Sequence, residues 1–99
     1  MIIPATAPGN THVYAQYSVR TPRRDELIRH LAGAGIPTAV HYPIPLHLQE
    51  AYKHLGFHEG AFPEAEAASR EILSLPMSAF LTRADQDNVI RSIRDYFGK

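Results

Sequence analysis

His41, Tyr42 and His47 are the residues of this 99-residue chain best placed to bind something. They fall in one short run, His41-Tyr42-Pro43-Ile44-Pro45-Leu46-His47. Imidazole and phenol both hydrogen-bond hydroxyls and phosphate oxygens. Pro43 and Pro45 fix φ and remove two backbone donors, so the run is stiff and extended. It leaves a predicted strand over 36–41 and enters a predicted short helix over 46–55. A stiff segment presenting His and Tyr at a strand end suits a binding edge, and it serves equally as a plain connector. The residues alone allow Tyr42 to cap the core beside Val40 and His41 to lie on a solvated face. His47 has two readings: a donor that fixes the Pro-rich turn, or a ligand contact. Gln49 reads as a local hydrogen-bonding residue.

Other chemistry is sparser. His54 and His58 stand four apart, the spacing of one helix face, but Gly56 between them and Gly60 after them argue against a helix, and no metal site is expected. Arg23, Arg24 and Arg29 could meet a phosphate; with Asp25 and Glu26 beside them, a solvated helix face is the better reading. Lys53 and Lys99 are the only lysines. A Schiff-base lysine needs a pocket that lowers its pKa, and neither position suggests one. No Ser/His/Asp arrangement, phosphate-binding Gly loop or carboxylate dyad stands out, so no catalytic residue is assigned.

Composition narrows the class. Ten basic residues balance ten acidic ones, whereas a nucleic-acid surface needs a basic excess. There is no cysteine, which fits a reducing compartment. No apolar run approaches the length of a spanning helix. Pro4 follows Met1-Ile2-Ile3 with no basic stretch, so no secretory leader is expected. These features point to a cytoplasmic protein that touches neither nucleic acid nor membrane.

Residues 1–10, with Pro4, Pro8 and Gly9, read as a flexible lead-in or a severed linker, and 11–99 as one domain. Alternation over 12–20 predicts a half-buried strand. Thr21 and Pro22 read as N-cap and first residue of a helix over 22–33, which Gly33 and Gly35 stop. Ile36 to His41 is a second strand, giving either a right-handed βαβ crossover or a split arrangement. Pro63 opens another helix, with Glu64 and Glu66 favouring its dipole. Leu73 to Met77 is a short extended piece that Pro76 makes an edge strand or a strand end. Thr82 and Asp85 form a capping-box pattern ahead of a helix over 83–97. The predicted fold is α+β: a small three- to four-stranded sheet with helices packed mainly on one face. The expected core is Val13, Tyr17, Val19, Leu27, Ile28, Leu31, Val40, Ile72, Leu73, Val89, Ile90, Ile93 and Phe97.

"GIPTAVHYPIPLHLQEAY", with "HVYAQYSVR" before it and "EILSLPM" after it, resembles the C-terminal small domain of the DegT/DnrJ/EryC1/StrS aminotransferases. The likeness runs from about Gly9 to Phe97. It implies a parent enzyme that uses PLP to move an amino group, normally from glutamate, onto a keto-sugar nucleotide. It implies that His41 and Tyr42, with His47 nearby, lie on the substrate side of a site shared between the subunits of a homodimer. It also implies that the PLP lysine and the large cofactor domain lie upstream, so that this chain alone holds no cofactor and is inactive. "HVYAQY" with "GIPTAVHYP" looks closest to the subgroup that makes 3-amino sugar uronates on UDP. The resemblance leaves open a dehydratase-like parent. Two alternatives from other classes stand beside it: a stand-alone nucleotide-sugar-binding module, and a partner-interaction module without catalysis.

Overall fold

The structure is a computed structural model and describes residues 1–98. Two antiparallel strands form its centre, β1 (Tyr17–Arg20) and β2 (Ile72–Leu75), with Val19 opposite Leu73 and Ser18 opposite Ser74. A single bridging residue adds a further chain segment on either side, Ile2 beside Arg20 and Ala39 beside Ser74, both antiparallel. Four segments therefore lie side by side, two of them regular strands. Ile2 is tied by two backbone bonds to Arg20, of 2.8 and 2.9 Å, so the predicted lead-in carries a sheet contact. The stretch through Ala39 runs parallel to β1 with β2 inserted between them, which is the split form of the crossover. That makes β2 a central strand, and Pro76 ends it.

Side chains alternate across the sheet. Tyr17, Val19, Leu73 and Leu75 point to one face. There they meet Leu27 and Leu31 of helix α1 (Arg24–Gly33) and Ile93 of helix α3 (Arg83–Phe97), which together with Ile36 form the core. The opposite face carries Ser18, Ser74 and Ile72, and it is this face that serves the candidate site.

Helix α3 has the bounds expected from its local signals. Thr82 Oγ1 accepts from Asp85 N at 3.1 Å while the Asp85 carboxylate accepts from Thr82 N at 3.4 Å, and Gly98 closes the far end in the left-handed conformation, φ 72°. Thr82→Ala is expected to cost about 1 kcal/mol, read as a lower urea midpoint with an unchanged slope. Helix α2 (Pro63–Glu71) opens at its proline as expected. Helix α1 begins at Arg24, because Pro22 and Arg23 form a turn in which Thr21 Oγ1 accepts from Arg23 N at 3.3 Å.

The strand predicted over 12–20 is confined to its last four residues. Tyr14 takes a left-handed conformation (φ 49°), its N–H donates to His12 Nδ1 at 2.8 Å, and the two rings stack at 4.2 Å. A local side-chain acceptor has replaced the ladder. The register would also set Gln16 against Pro76, which has no N–H to offer. Val13, expected in the core, is accordingly 86% exposed. Ile90 is also exposed and Val40 only half-buried, while Ile36 joins the core instead. The second predicted strand shrinks to the Ala39 bridge, since Pro37 has no donor.

Candidate functional site

Between Ala39 and α2 the chain makes a long excursion. Pro43 and Pro45 keep it extended, and it then winds into two short 3₁₀ helices, Leu46–Leu48 and Glu50–Leu55, in place of the single predicted helix. Residues 51 to 65 are all exposed. Tyr42, Ile44, Leu46, Tyr52, Leu55, Phe57 and Phe62 all show apolar surface to solvent. The radius of gyration is 15.7 Å, against about 13 Å for a compact unit of this length.

The excursion and α2 enclose an open groove of about 750 Å³. His41, Tyr42 and His47 all line it, together with Phe62, Ser69 and Ile72. The three residues singled out from the sequence thus share one cavity, with mostly apolar walls. This is the composition of a small-molecule or docking cleft, apolar with a few convergent polar groups.

Each polar group is held by something nonlocal. His41 Nδ1 lies 3.3 Å from Ser74 Oγ, which is 2.9 Å from Ser18 Oγ. The imidazole is therefore tethered to the central strand through a pair of serines on the face away from α1 and α3. Tyr42 follows with its side 68% exposed, its ring edge-on to His41 at 5.4 Å. It does not cap the core beside Val40. His47 is buried, its ring edge-on to Phe62 at 4.8 Å and its Nε2 3.1 Å from Glu66 Oε2. It donates to a carboxylate rather than to a carbonyl of the turn. Gln49 makes the local bond, donating from Nε2 to Ile44 O at 3.2 Å.

Glu66 and Ser74 were not picked out by sequence reasoning. From the sequence alone Glu66 is a residue that favours the helix dipole. Its carboxylate in fact accepts from Gly60 N (2.8 and 3.0 Å) and Phe62 N (3.1 Å) as well as from His47. The Gly60 amide is the main influence holding this carboxyl below its ordinary pKa; burial opposes it, and the Phe62 amide and His47 add to it. A legible hint existed, an acid in the first turn after a Gly-x-x-Pro entry.

The remaining candidates resolve as follows. Arg24 Nη1 donates to Ser69 O (3.0 Å) and Ile72 O (3.1 Å), capping the end of α2, and Arg23 donates from Nε (3.0 Å) and Nη2 (2.8 Å) to one oxygen, Oε2, of Glu26. Arg23 lies on a solvated face as expected, whereas the Arg24 side chain is largely buried and structural. Gly56, at φ 76°, ends the second 3₁₀ helix between His54 and His58. Among the described residues no three His, Asp or Glu side chains stand close enough to hold a metal, and no helix is long and apolar enough to cross a membrane. Lys53 does not fit a PLP-holding role: its side chain is 79% exposed and lies 3.8 Å from Glu50. Lys99 lies outside the described residues. No step through the cofactor is therefore derived from this chain.

Residues 1–94 match the model of the DegT/DnrJ/EryC1/StrS aminotransferase family, and the chain belongs to that family. It is 44% identical over 98% of its length to a pleiotropic regulatory protein of Geobacillus stearothermophilus. It is 44% identical over 95% to the dTDP-3-amino-3,4,6-trideoxy-alpha-D-glucose transaminase of Streptomyces venezuelae. It is 42% identical over 77% to the UDP-2-acetamido-2-deoxy-3-oxo-D-glucuronate aminotransferase of Pseudomonas aeruginosa. The crystal structure of S. venezuelae DesV in complex with a ketimine intermediate superposes with a TM-score of 0.95 over 99% of the chain, at 42% identity, and the match covers 26% of that structure. The chain spans about a quarter of the length of the curated relatives it matches.

Proposed function

We propose that this chain is the C-terminal small domain, over 11–99, of a cytoplasmic PLP-dependent aminotransferase that places an amino group on a keto-sugar nucleotide. The observation that carries the reading is the near-complete superposition of the chain on S. venezuelae DesV, beside its 44% identity to a dTDP-amino-sugar transaminase. In this reading the large domain of the whole enzyme holds PLP, which supplies the electron-sink chemistry when bound. Glutamate is the amino donor that the family resemblance implies, and the working form is a homodimer. The exposed apolar excursion supports docking against further protein, since apolar surface of this extent rarely stays uncovered. The narrower reading, a UDP-linked 3-keto uronate, is supported by "HVYAQY" and "GIPTAVHYP" and by the P. aeruginosa relative. The longer match to the dTDP-sugar enzyme supports the broader one.

The chain's own residues would act on the substrate side. His41, braced by Ser74, and Tyr42, free in the groove mouth, offer hydrogen bonds to sugar hydroxyls or phosphate oxygens, and His47 offers a third. His41→Ala or Tyr42→Ala in the whole enzyme is expected to raise KM for the nucleotide sugar about tenfold, the loss of one hydrogen bond to a polar ligand. Steady-state kinetics with both substrates check this. Unchanged kinetics in both variants would take the pair off the substrate side.

A further inference from the structure

Glu66 is 4% exposed, yet nothing about its position in α2 requires a buried acid. Four N–H···O contacts converge on its two oxygens: Gly60 N on both, Phe62 N and His47 Nε2 on Oε2. Every partner donates, so the ionised carboxylate satisfies them all, and a protonated one would turn a donor against a donor. The three partners sit at separate points of the excursion. His47 lies in its first 3₁₀ turn, Gly60 in its closing loop, and Phe62 precedes α2. Phe62 also receives a bond in return, Glu66 N donating to its carbonyl at 3.0 Å. One side chain thus gathers the groove's outer wall onto the helix.

The contact also sets the chemistry of His47. With Nε2 donating to a carboxylate, the neutral ring carries its lone pair on Nδ1. Among the described residues Nδ1 has no hydrogen-bond partner, and no buried side-chain nitrogen or oxygen lacks one. Nδ1 therefore keeps some accessible surface, on a ring that is otherwise buried and lines the groove. This is the arrangement by which a buried carboxylate fixes an imidazole for use from its other side.

We infer that Glu66 is the positioning residue of this groove: it fixes His47 as an acceptor toward a ligand hydroxyl and holds the wall of residues 46–62 against α2. The identity of the ligand as a nucleotide sugar rests on the function proposed above; the positioning itself does not.

The test uses the full-length enzyme with isotope-labelled histidine. In the wild type the long-range proton–nitrogen spectrum should show His47 as a single tautomer protonated at Nε2. Glu66→Gln is nearly isosteric, but its NH₂ must face the Gly60 donor and its one neutral oxygen accepts from His47 more weakly than the carboxylate does, so the preference for the Nε2 tautomer should weaken and the spectrum should show a share of ring protonated at Nδ1. KM for the nucleotide sugar should rise about tenfold, with kcat changed less than threefold. His47→Phe keeps the ring's bulk, leaves the contacts from the Gly60 and Phe62 amides to Glu66 in place and removes the acceptor. Its KM effect should not add to that of Glu66→Gln, because both remove the same interaction. A wild-type His47 protonated at Nδ1, a spectrum unmoved by Glu66→Gln, or additive KM effects would each overturn the inference. An enzyme that turns over no nucleotide sugar would sink the proposed function, and the tautomer measurement would still decide the role of Glu66.

Discussion

Leu73→Ala is expected to destabilise the protein by about 2–5 kcal/mol. Leu73 is 0% exposed and stands at the centre of β2, paired across the ladder with Val19. Leu27 and Leu31 of α1 and Ile93 of α3 close over the same face. Truncation removes the transfer energy of the lost methyl groups and leaves a cavity whose walls belong to three elements. Those walls cannot collapse without moving a strand and two helices, which argues for the upper part of the range. Small domains have only about 5–15 kcal/mol in hand, so the variant should unfold at much lower urea. The midpoint should fall with the slope unchanged. Val13→Ala provides the contrast. The alternating pattern puts Val13 in the core, whereas the structure exposes it, and an exposed substitution should stay within about 0.5 kcal/mol. A Val13→Ala loss as large as that of Leu73→Ala would restore the longer strand.

That contrast shows where sequence reading stops. Helix α3 was legible to the residue because its signals are local: Thr82 and Asp85 three apart, an apolar stripe, a closing glycine. The opening proline of α2 is equally local. Strands depend on a partner far along the chain. Alternation over 12–16 describes only the preference of that stretch; the partner strand ends at Pro76, and His12 offers Tyr14 a nearer acceptor. The central position of β2 could not be read from Pro76, which marks only where the strand stops. The site follows the same rule. His41, Tyr42 and His47 were found because a stiff, proline-bounded run announces itself. Ser74 and Glu66, which hold two of them, lie 33 and 19 positions away, and only the folded chain brings them together.

Acid should open the excursion while leaving the core folded. The folded-state pKa of Glu66 is depressed, first by the Gly60 amide. Its contribution is therefore fully present above the ordinary glutamate range, about pH 4–5. It is lost as pH falls through the lower folded value, where the bound proton turns the acceptor into a donor. Within that window the open form holds one more proton than the closed form, so the opening equilibrium rises about tenfold for each pH unit. Of the titratable groups around it, His47 bonds Glu66 directly, while Glu50, Lys53, His58 and Glu59 line the adjoining cavity that His47 shares. None of these is bonded to the amides of Gly60 and Phe62; Glu66 is. Amide exchange, corrected for its intrinsic pH dependence, should show Gly60 and Phe62 losing protection through this window, with Val19 and Leu73 in the ladder unchanged. Glu66→Gln has no carboxylate to neutralise, so its Gly60 and Phe62 amides should be weakly protected at every pH and show no such step. If the wild type and Glu66→Gln respond to acid alike, the excursion is held by its apolar contacts, with Phe57 and His47 packed on Phe62, and the carboxylate is incidental to it.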